Sequence, residues 1–169
     1  MSGHMTTLLA TALLCVACSS PVVPDDAVFF DARTQPELSA SGGVTGSGSD
    51  AVVRLVVAVR NPDVRARQIT LIAPCTVVLR VYNTAVRSGA AAFSSSALPG
   101  GCKSLPWVNT LAAGTTKTLQ EILGVGTILN PPGMPALPPG HYFFTAVVTV
   151  RELPAGSIEL SAGEGDLQL

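Results

Sequence analysis

The sequence is poor in the residue types from which enzymes build catalytic and metal sites. Its 169 residues include two histidines, His4 and His141, and 12% of them are charged. A Ser-His-Asp or Cys-His arrangement therefore has His141 as its single candidate base outside the N-terminal region. Outside the N-terminal region, no His and Cys residues cluster at metal-site spacing, and no glycine motif is of the phosphate-binding type. We expect a protein that is not an enzyme, with no metal and no cofactor.

Charge and aromatic content argue against two classes of ligand. The net charge of −1 gives no electrostatic case for nucleic acid. One Trp, two Tyr and five Phe leave few side chains for an aromatic-lined pocket, which disfavours a small-ligand or carbohydrate carrier. Six of the arginines lie between Arg54 and Arg87, where we expect outer positions of strands, with a local basic face as the alternative.

The N-terminal segment is apolar but short. It carries no charge between Met5 and Ala17, and it falls short of the ~20 residues of a membrane-spanning helix. Such a run is typical of the hydrophobic part of an export signal. Directly after it, the residues Cys15-Val16-Ala17-Cys18 place a small residue before a cysteine, and Ser19-Ser20-Pro21 follow.

This arrangement resembles the lipobox of bacterial lipoproteins. In that family the cysteine thiol receives a diacylglyceryl group, the chain is cut just before it, and the new amino terminus is acylated. The resemblance implies a signal peptide at residues 1–17, lipidation of Cys18, a lipidated tether at 18–26 and a domain at 27–169. It places the protein in the bacterial cell envelope, anchored to a membrane by lipid, and Ser19 favours the outer membrane. The alternatives are an ordinary secreted protein and a buried N-terminal helix.

Two cysteines remain for the domain, Cys75 and Cys102. An even pair in an oxidising compartment favours a disulfide. The bond would close a loop of about 28 residues and contribute roughly 3 to 4 kcal/mol in the chain-entropy model. Two buried free thiols are the alternative.

Alternation of apolar and polar residues predicts strands through most of the domain. The clearest patterns are at 51–60, where Val53, Leu55, Val57 and Val59 share a face, and at 141–151, where Tyr142 and the even-numbered residues after it do. Further strands are predicted at 27–32, 68–72, 76–82, 90–95, 115–122 and 157–160. The Gly- and Ser-rich segment 39–50 predicts a flexible loop. The one helix candidate is 118–123.

About seven to nine short strands joined by Gly- and Pro-rich turns predict an all-β fold, an immunoglobulin-like antiparallel β-sandwich. The turn before Tyr142 predicts a tyrosine corner, in which the phenol braces the start of a long strand. A simply buried tyrosine is the alternative.

The order of these features resembles the domain of the BsuPI-type intracellular proteinase inhibitor family. The matching pieces are Val57-Ala-Val-Arg-Asn61, Ile69-Thr-Leu71, the strand Val77 to Tyr82, Leu111-Ala-Ala-Gly114-Thr-Thr and Leu137-Pro-Pro-Gly140-His-Tyr142. The resemblance implies an immunoglobulin-like sandwich. Inhibitory activity does not follow from the fold, because an envelope lipoprotein is not an intracellular inhibitor.

Binding is expected at loops, and two are long. The loop 88–105 could present Leu98 or Lys103 to a peptidase as an extended bait, or could be a connection stapled by Cys102. The loop 124–139 holds five prolines and Met134, and either binds in an extended form or closes one end of the sandwich. Trp107 is expected in the core, with a ligand platform as the alternative.

We therefore expect a membrane-anchored, non-catalytic envelope module that contacts an unknown protein partner. The first alternative is a peptidase inhibitor acting through the loop 88–105. The second is a small-ligand or carbohydrate-binding protein.

Overall fold

The computed structural model describes residues 28–31, 33–72, 75–100 and 107–169, apart from the side chain of Trp107. This part of the chain forms ten strands, one short α-helix and two 3-10 turns, Gly48–Asp50 and Ser95–Ala97. The strands are β1 Val28–Phe29, β2 Glu37–Thr45, β3 Val52–Arg60, β4 Arg67–Leu71, β5 Val78–Tyr82, β6 Phe93–Ser94, β7 Trp107–Leu111, β8 Thr116–Gly124, β9 Gly140–Thr149 and β10 Ser157–Leu167, and the helix α1 is Val125–Leu129. The predicted all-β fold is confirmed. No helix of the described residues is long and apolar enough to span a membrane.

Two antiparallel sheets form the sandwich. One has the strand order β2-β3-β8 and the other the order β10-β9-β5-β6. Strands that are distant in sequence lie side by side in both sheets, as in immunoglobulin-like Greek-key sandwiches. A third, small sheet has the order β1-β4-β7, and an isolated bridge between Leu71 and Val150 joins it to the end of β9.

The core lies between the two main sheets and confirms the predicted alternation. Val53, Leu55, Val57 and Val59 of β3 are completely buried, and so are Phe144, Ala146 and Val148 of β9. Tyr142 is buried too, and its hydroxyl donates a hydrogen bond to the Pro138 carbonyl at 2.6 Å. This bond back to the preceding turn is the predicted tyrosine corner.

The sandwich has two ends, which we call the β1 end and the α1 end. The β1 end comprises the small sheet β1-β4-β7, residues 30–31 and 33–36, and the turns 61–66, 112–115 and 150–156. The α1 end comprises the turns 46–51 and 83–92, the segment 125–139, and the adjoining start of β9 and end of β10. At the β1 end the side-chain amide of Asn61 donates to the carbonyls of Arg65 and Leu111 at 2.8 and 3.0 Å. Because Asn61 is fully buried, these bonds fix the turn after β3 against the turn before β8.

The predicted flexible loop at 39–50 is wrong for most of its length, because residues 37–45 form β2 and pair with β3 throughout. The glycines serve a close approach between β2 and β10. A Cβ atom on Gly163 would overlap the carbonyl oxygen of Gly42, and one on Gly165 would lie 2.8 Å from the Cγ2 atom of Val44. Small residues in both strands therefore allow the two sheets to meet along this side.

Other predictions need correction as well. The helix candidate 118–123 lies inside β8, which pairs with β3 along its whole length, and the observed helix α1 follows at Val125–Leu129. β7 was not predicted, and it forms because it pairs with β4. The strand predicted at 157–160 is longer than expected, because β10 runs on to Leu167.

Replacement of Gly163 by alanine tests the contact between β2 and β10. We expect Gly163→Ala to lower the free energy of unfolding by about 2 to 5 kcal/mol, because a positive φ and an overpacked contact both disfavour the methyl group. Gly114→Ala is the matched control, since Gly114 also has a positive φ, 66°, but open space around it. It should cost about 1 to 2 kcal/mol. Equal losses in urea titrations of the two variants would contradict the close approach.

Candidate functional site

The predicted site residues divide into three groups. Cys18, Cys102 and Lys103 lie outside the described residues, as does the side chain of Trp107. Leu98 and Met134 are partly buried and pack against the core, so neither projects freely from its loop. Cys75 is buried, and its predicted bond to Cys102 stays a prediction.

The densest polar cluster of the described residues lies on a sheet face, not in a loop. It covers the outer side of β5, β9 and β10, together with one arginine from the turn after β5. We call it the charged face, and its members are Arg80, Tyr82, Arg87, His141, Phe143, Thr145, Glu159, Glu164 and Asp166. The strand register places these residues in rows, because Arg80 is opposite Thr145, Phe143 is opposite Tyr82 and Glu164, and His141 is opposite Asp166.

Glu159 is the centre of the hydrogen bonds on the charged face. Its Oε1 atom accepts from the hydroxyls of Thr145 and Tyr82 at 2.5 and 2.8 Å. Its Oε2 atom pairs with Arg80 at 2.7 Å. Burial acts to raise the pKa of Glu159, but the bonds from Thr145, Tyr82 and Arg80 outweigh it, and the pKa is lowered. The carboxylate therefore stays charged and fixes the side chains around it.

His141 lies on the same face, nearer the α1 end. Its Nδ1 atom is 2.8 Å from Asp166 Oδ1, and its Nε2 atom is 4.0 Å from Glu164 Oε1. The ring contacts Phe143 edge to face, with 5.3 Å between centroids. The polar partners of His141 within the described residues are thus carboxylates, and not the hydroxyl or thiol that nucleophilic catalysis needs. This geometry suits recognition of charge.

Arg87 is the most constrained member of the face. Among the described residues it is the one non-glycine residue with a positive φ, 52°. Its guanidinium lies 5.3 Å from the centroid of Phe143 and donates to the Gly163 carbonyl at 3.2 Å. Its Nε atom is buried and has no hydrogen-bond partner in the described part of the chain. Backbone strain and an unsatisfied donor both cost free energy, and such costs concentrate at functional positions.

The clefts beside this face are open and lack aromatic walls. One of ≈ 370 Å³ is lined by Pro139, Gly140, Asp166, Leu167 and Gln168. A second of ≈ 280 Å³ lies between the turn 46–51 and the end of the chain. Because neither cleft offers a ring on which a sugar could stack, they give no support to carbohydrate binding.

The charged face is not predictable from the sequence because β10 contains a bulge. The register with β9 shifts between Ser161 and Gly163. A bulge interrupts the alternation of side chains between the two faces of a strand. Strict alternation from Glu159 would place Glu164 and Asp166 on the opposite face, whereas the bulge places them on the same face as Glu159. The outward direction of His141, Phe143 and Thr145 was predictable from the unbroken alternation of β9.

Comparisons with known proteins give limited similarity. No family model matches the chain, and no curated protein matches it. A solved β-glucosidase from Erythrobacter marinus is 17% identical with a TM-score of 0.38, over 75% of this chain and 15% of that one. A D270A mutant β-glucosidase from Listeria innocua, in complex with laminaribiose, is 18% identical with a TM-score of 0.37, over 77% and 16%. This chain thus spans only a small part of the length of these enzymes. The lipobox and BsuPI-type resemblances stay predictions.

Loss of the Glu159 carboxylate tests the centre of the charged face. Since the pKa of Glu159 is lowered on folding, its contribution to stability is present above the ordinary glutamate pKa and is lost as the pH falls through the folded value. We expect Glu159→Gln to lower the free energy of unfolding by about 1 kcal/mol at neutral pH, a value that allows for the partial exposure of the side chain. In acid, the variant and the wild type should have nearly the same free energy of unfolding.

Glu164→Gln is the matched control for this measurement. The side chain of Glu164 is 57% exposed, and its replacement should change the free energy of unfolding by no more than about 0.5 kcal/mol. Urea titrations at neutral and acidic pH report both variants. A loss for Glu159→Gln that stays constant into acid would show that the charge of Glu159 does not act as described.

Proposed function

We propose that this chain is an exported, lipid-anchored, non-catalytic module of the bacterial cell envelope that binds a protein partner through the charged face. The observation that carries the proposal is the arrangement of Arg87, a cation fixed over Phe143 at the cost of backbone strain. A fold under no functional demand would favour glycine at this φ.

The anchor in this proposal comes from the sequence. Ala17 before Cys18 and the short apolar run before it fit a lipobox, and the resemblance implies acylation of Cys18. Two or more acyl chains hold a protein stably at a membrane, whereas a single chain gives marginal binding. The outer membrane remains the favoured location, as Ser19 implies.

The composition of the charged face favours a protein as its ligand. Phe and Arg are enriched at protein interfaces, and Arg is enriched among the residues that carry most of the binding energy. Tyr82 is 3% exposed and contributes by holding Glu159 in place. The ion pair of Arg80 and Glu159 is partly exposed, with side chains 40% and 32% accessible. Charges exposed to this degree steer and orient a partner of complementary charge. The face carries positive and negative charges at fixed positions, so it also excludes partners whose charges do not match.

A peptidase is one partner that the proposal admits, but no observation favours inhibition through the loop 88–105. In its described part this loop pairs β6 with β5 and forms the turn Ser95–Ala97. Leu98 packs against the core directly after that turn. Inhibition of a peptidase through this loop would therefore depend on Lys103.

Site-specific crosslinking in cells tests the proposed interface. A photo-reactive amino acid at Ser161, an exposed position of β10 between Glu159 and Glu164, should capture a defined protein. The same group at Ser41 is the matched control, because Ser41 is an exposed serine of β2 on the outer side of the other sheet. Mass spectrometry identifies the captured protein and reports acylation of Cys18 in the same sample.

Arg87→Gly separates binding from folding in this experiment. Glycine relieves the positive φ by about 1 kcal/mol and removes the unsatisfied Nε donor, which together offset the lost cation–π contact and the lost hydrogen bond to Gly163. The free energy of unfolding should therefore stay nearly unchanged. Capture at Ser161 should fall nonetheless. Equal capture at Ser161 and Ser41, or capture that survives Arg87→Gly, would contradict the charged face as the binding surface.

A further inference from the structure

We propose that the β1 end is a membrane-docking surface that lies against the anionic phospholipid leaflet carrying the anchor. The inference rests on the proposed anchoring at Cys18 and adds an orientation to it. Three observations support it: exposed apolar side chains, arginines without ion pairs, and the position at which the tether joins the domain.

Exposed apolar side chains concentrate at this end. Of the seven large hydrophobic residues that are exposed in the described part of the chain, four lie here: Val28, Phe29, Val64 and Val108, at 56%, 44%, 88% and 55%. Phe29 pairs with Gln68 and Val108 pairs with Thr70, so both apolar residues lie on one face of the small sheet. Single exposed residues are ordinary, whereas a concentration of them marks an interaction surface.

Three arginines at the β1 end are exposed and form no ion pair with the described residues: Arg33, Arg65 and Arg151. The two others at this end are already paired, Arg60 with Glu37 and Arg67 with Asp63. Two further carboxylates at this end, Asp31 and Glu152, accept hydrogen bonds from backbone amides and keep their negative charge. Asp31 accepts from the backbone of Arg33 and Thr34, and Glu152 accepts from the Thr70 amide. The three arginines without an ion pair therefore outnumber these two carboxylates, and the β1 end keeps an excess of positive charge.

The α1 end has the opposite character. Asp50, Glu164 and Asp166 lie there, against Arg87 and His141 as the basic groups. An anionic leaflet attracts polybasic surfaces and repels acidic ones over about a Debye length. The charge distribution therefore favours the β1 end toward the membrane and the α1 end away from it.

The tether joins the domain at the same end. Nine residues lie between Cys18 and Val28, and the ten Cα–Cα steps span at most about 35 Å. An anchor this close keeps the β1 end at high effective concentration beside the leaflet, so weak contacts suffice for docking. With the β1 end docked, strands of nine residues carry His141 about 30 Å outward, where a partner can reach the charged face.

Fluorophores at two exposed valines test the orientation. The full chain is purified from bacterial membranes with its lipid and incorporated into vesicles that contain phosphatidylglycerol. An environment-sensitive dye is attached to Val64→Cys at the β1 end or to Val86→Cys at the α1 end. Val64 and Val86 are both turn residues, 88% and 79% exposed. We expect spin-labelled lipid to quench the dye at 64 and spare the dye at 86. Equal quenching at the two positions, or quenching at neither, would overturn the proposal.

A second measurement tests the contribution of charge. Arg65→Gln should lower the ratio of docked to undocked chain on these vesicles about fivefold. Arg54→Gln is the control, because Arg54 is exposed on the outer side of β3, away from the β1 end. Vesicles of phosphatidylcholine alone should lower quenching at 64 for the wild type. Quenching that is insensitive to Arg65→Gln and to lipid charge would overturn the electrostatic part of the proposal.

The mass of the purified chain distinguishes a failure of docking from a failure of the anchor. An acylated chain whose dye at 64 is not quenched overturns docking and leaves the anchor intact. A chain without an acyl group overturns the anchor, and docking is then measured by flotation of the same labelled chain with phosphatidylglycerol vesicles. Flotation supports the docking surface, and its absence overturns it.

Discussion

The close approach of β2 and β10 is the contact on which the rest of the molecule depends. It closes the side of the sandwich where the two main sheets meet, and it requires glycine because Gly163 faces the backbone of Gly42. Steric exclusion of a single methyl group thus determines how closely β10 lies against β2. Packing of this kind tolerates little change, because neighbouring backbones have no freedom to relax.

The charged face follows from that contact. The bulge beside Gly163 shifts β10 by one residue, so that Glu164 and Asp166 come to lie opposite Phe143 and His141. Arg87 donates to the carbonyl of the same glycine, which ties the turn after β5 to the bulge. One irregularity in one strand therefore provides the sheet contact, the direction of two carboxylates and the acceptor for the constrained arginine. Bulges commonly re-aim side chains in this way.

Most of the fold was predictable where one face of a strand is buried. The period of two in β3, β5 and β9 gave both the strands and their inward residues, and the Pro-Pro-Gly turn gave the tyrosine corner at Tyr142. Predictions were wrong where tertiary contacts override local propensity. The glycines of β2 indicate a loop unless the position of β10 is known, and Thr118 to Leu123 is a strand because β3 pairs with it.

The candidate site was less predictable than the fold, because it is made of residues from separate strands and a turn. Loops were expected to bind, yet Leu98 and Met134 pack against the core. The charged face needs the register of β5, β9 and β10 together, and a bulge hides that register from the sequence pattern. A functional surface on a sheet face can be predicted from the sequence only where side chains alternate between the two faces without interruption, as they do from His141 to Thr145.

Amide hydrogen exchange across residues 37–45 of the full chain tests the central constraint most directly. The account predicts that the amides of this segment that bond to β3 exchange slowly, because β2 is paired with β3 along its length and covered by β10. Exchange as fast as that of the exposed turn 83–92 would show that the segment is a loop, and the basis for the charged face would then be lost.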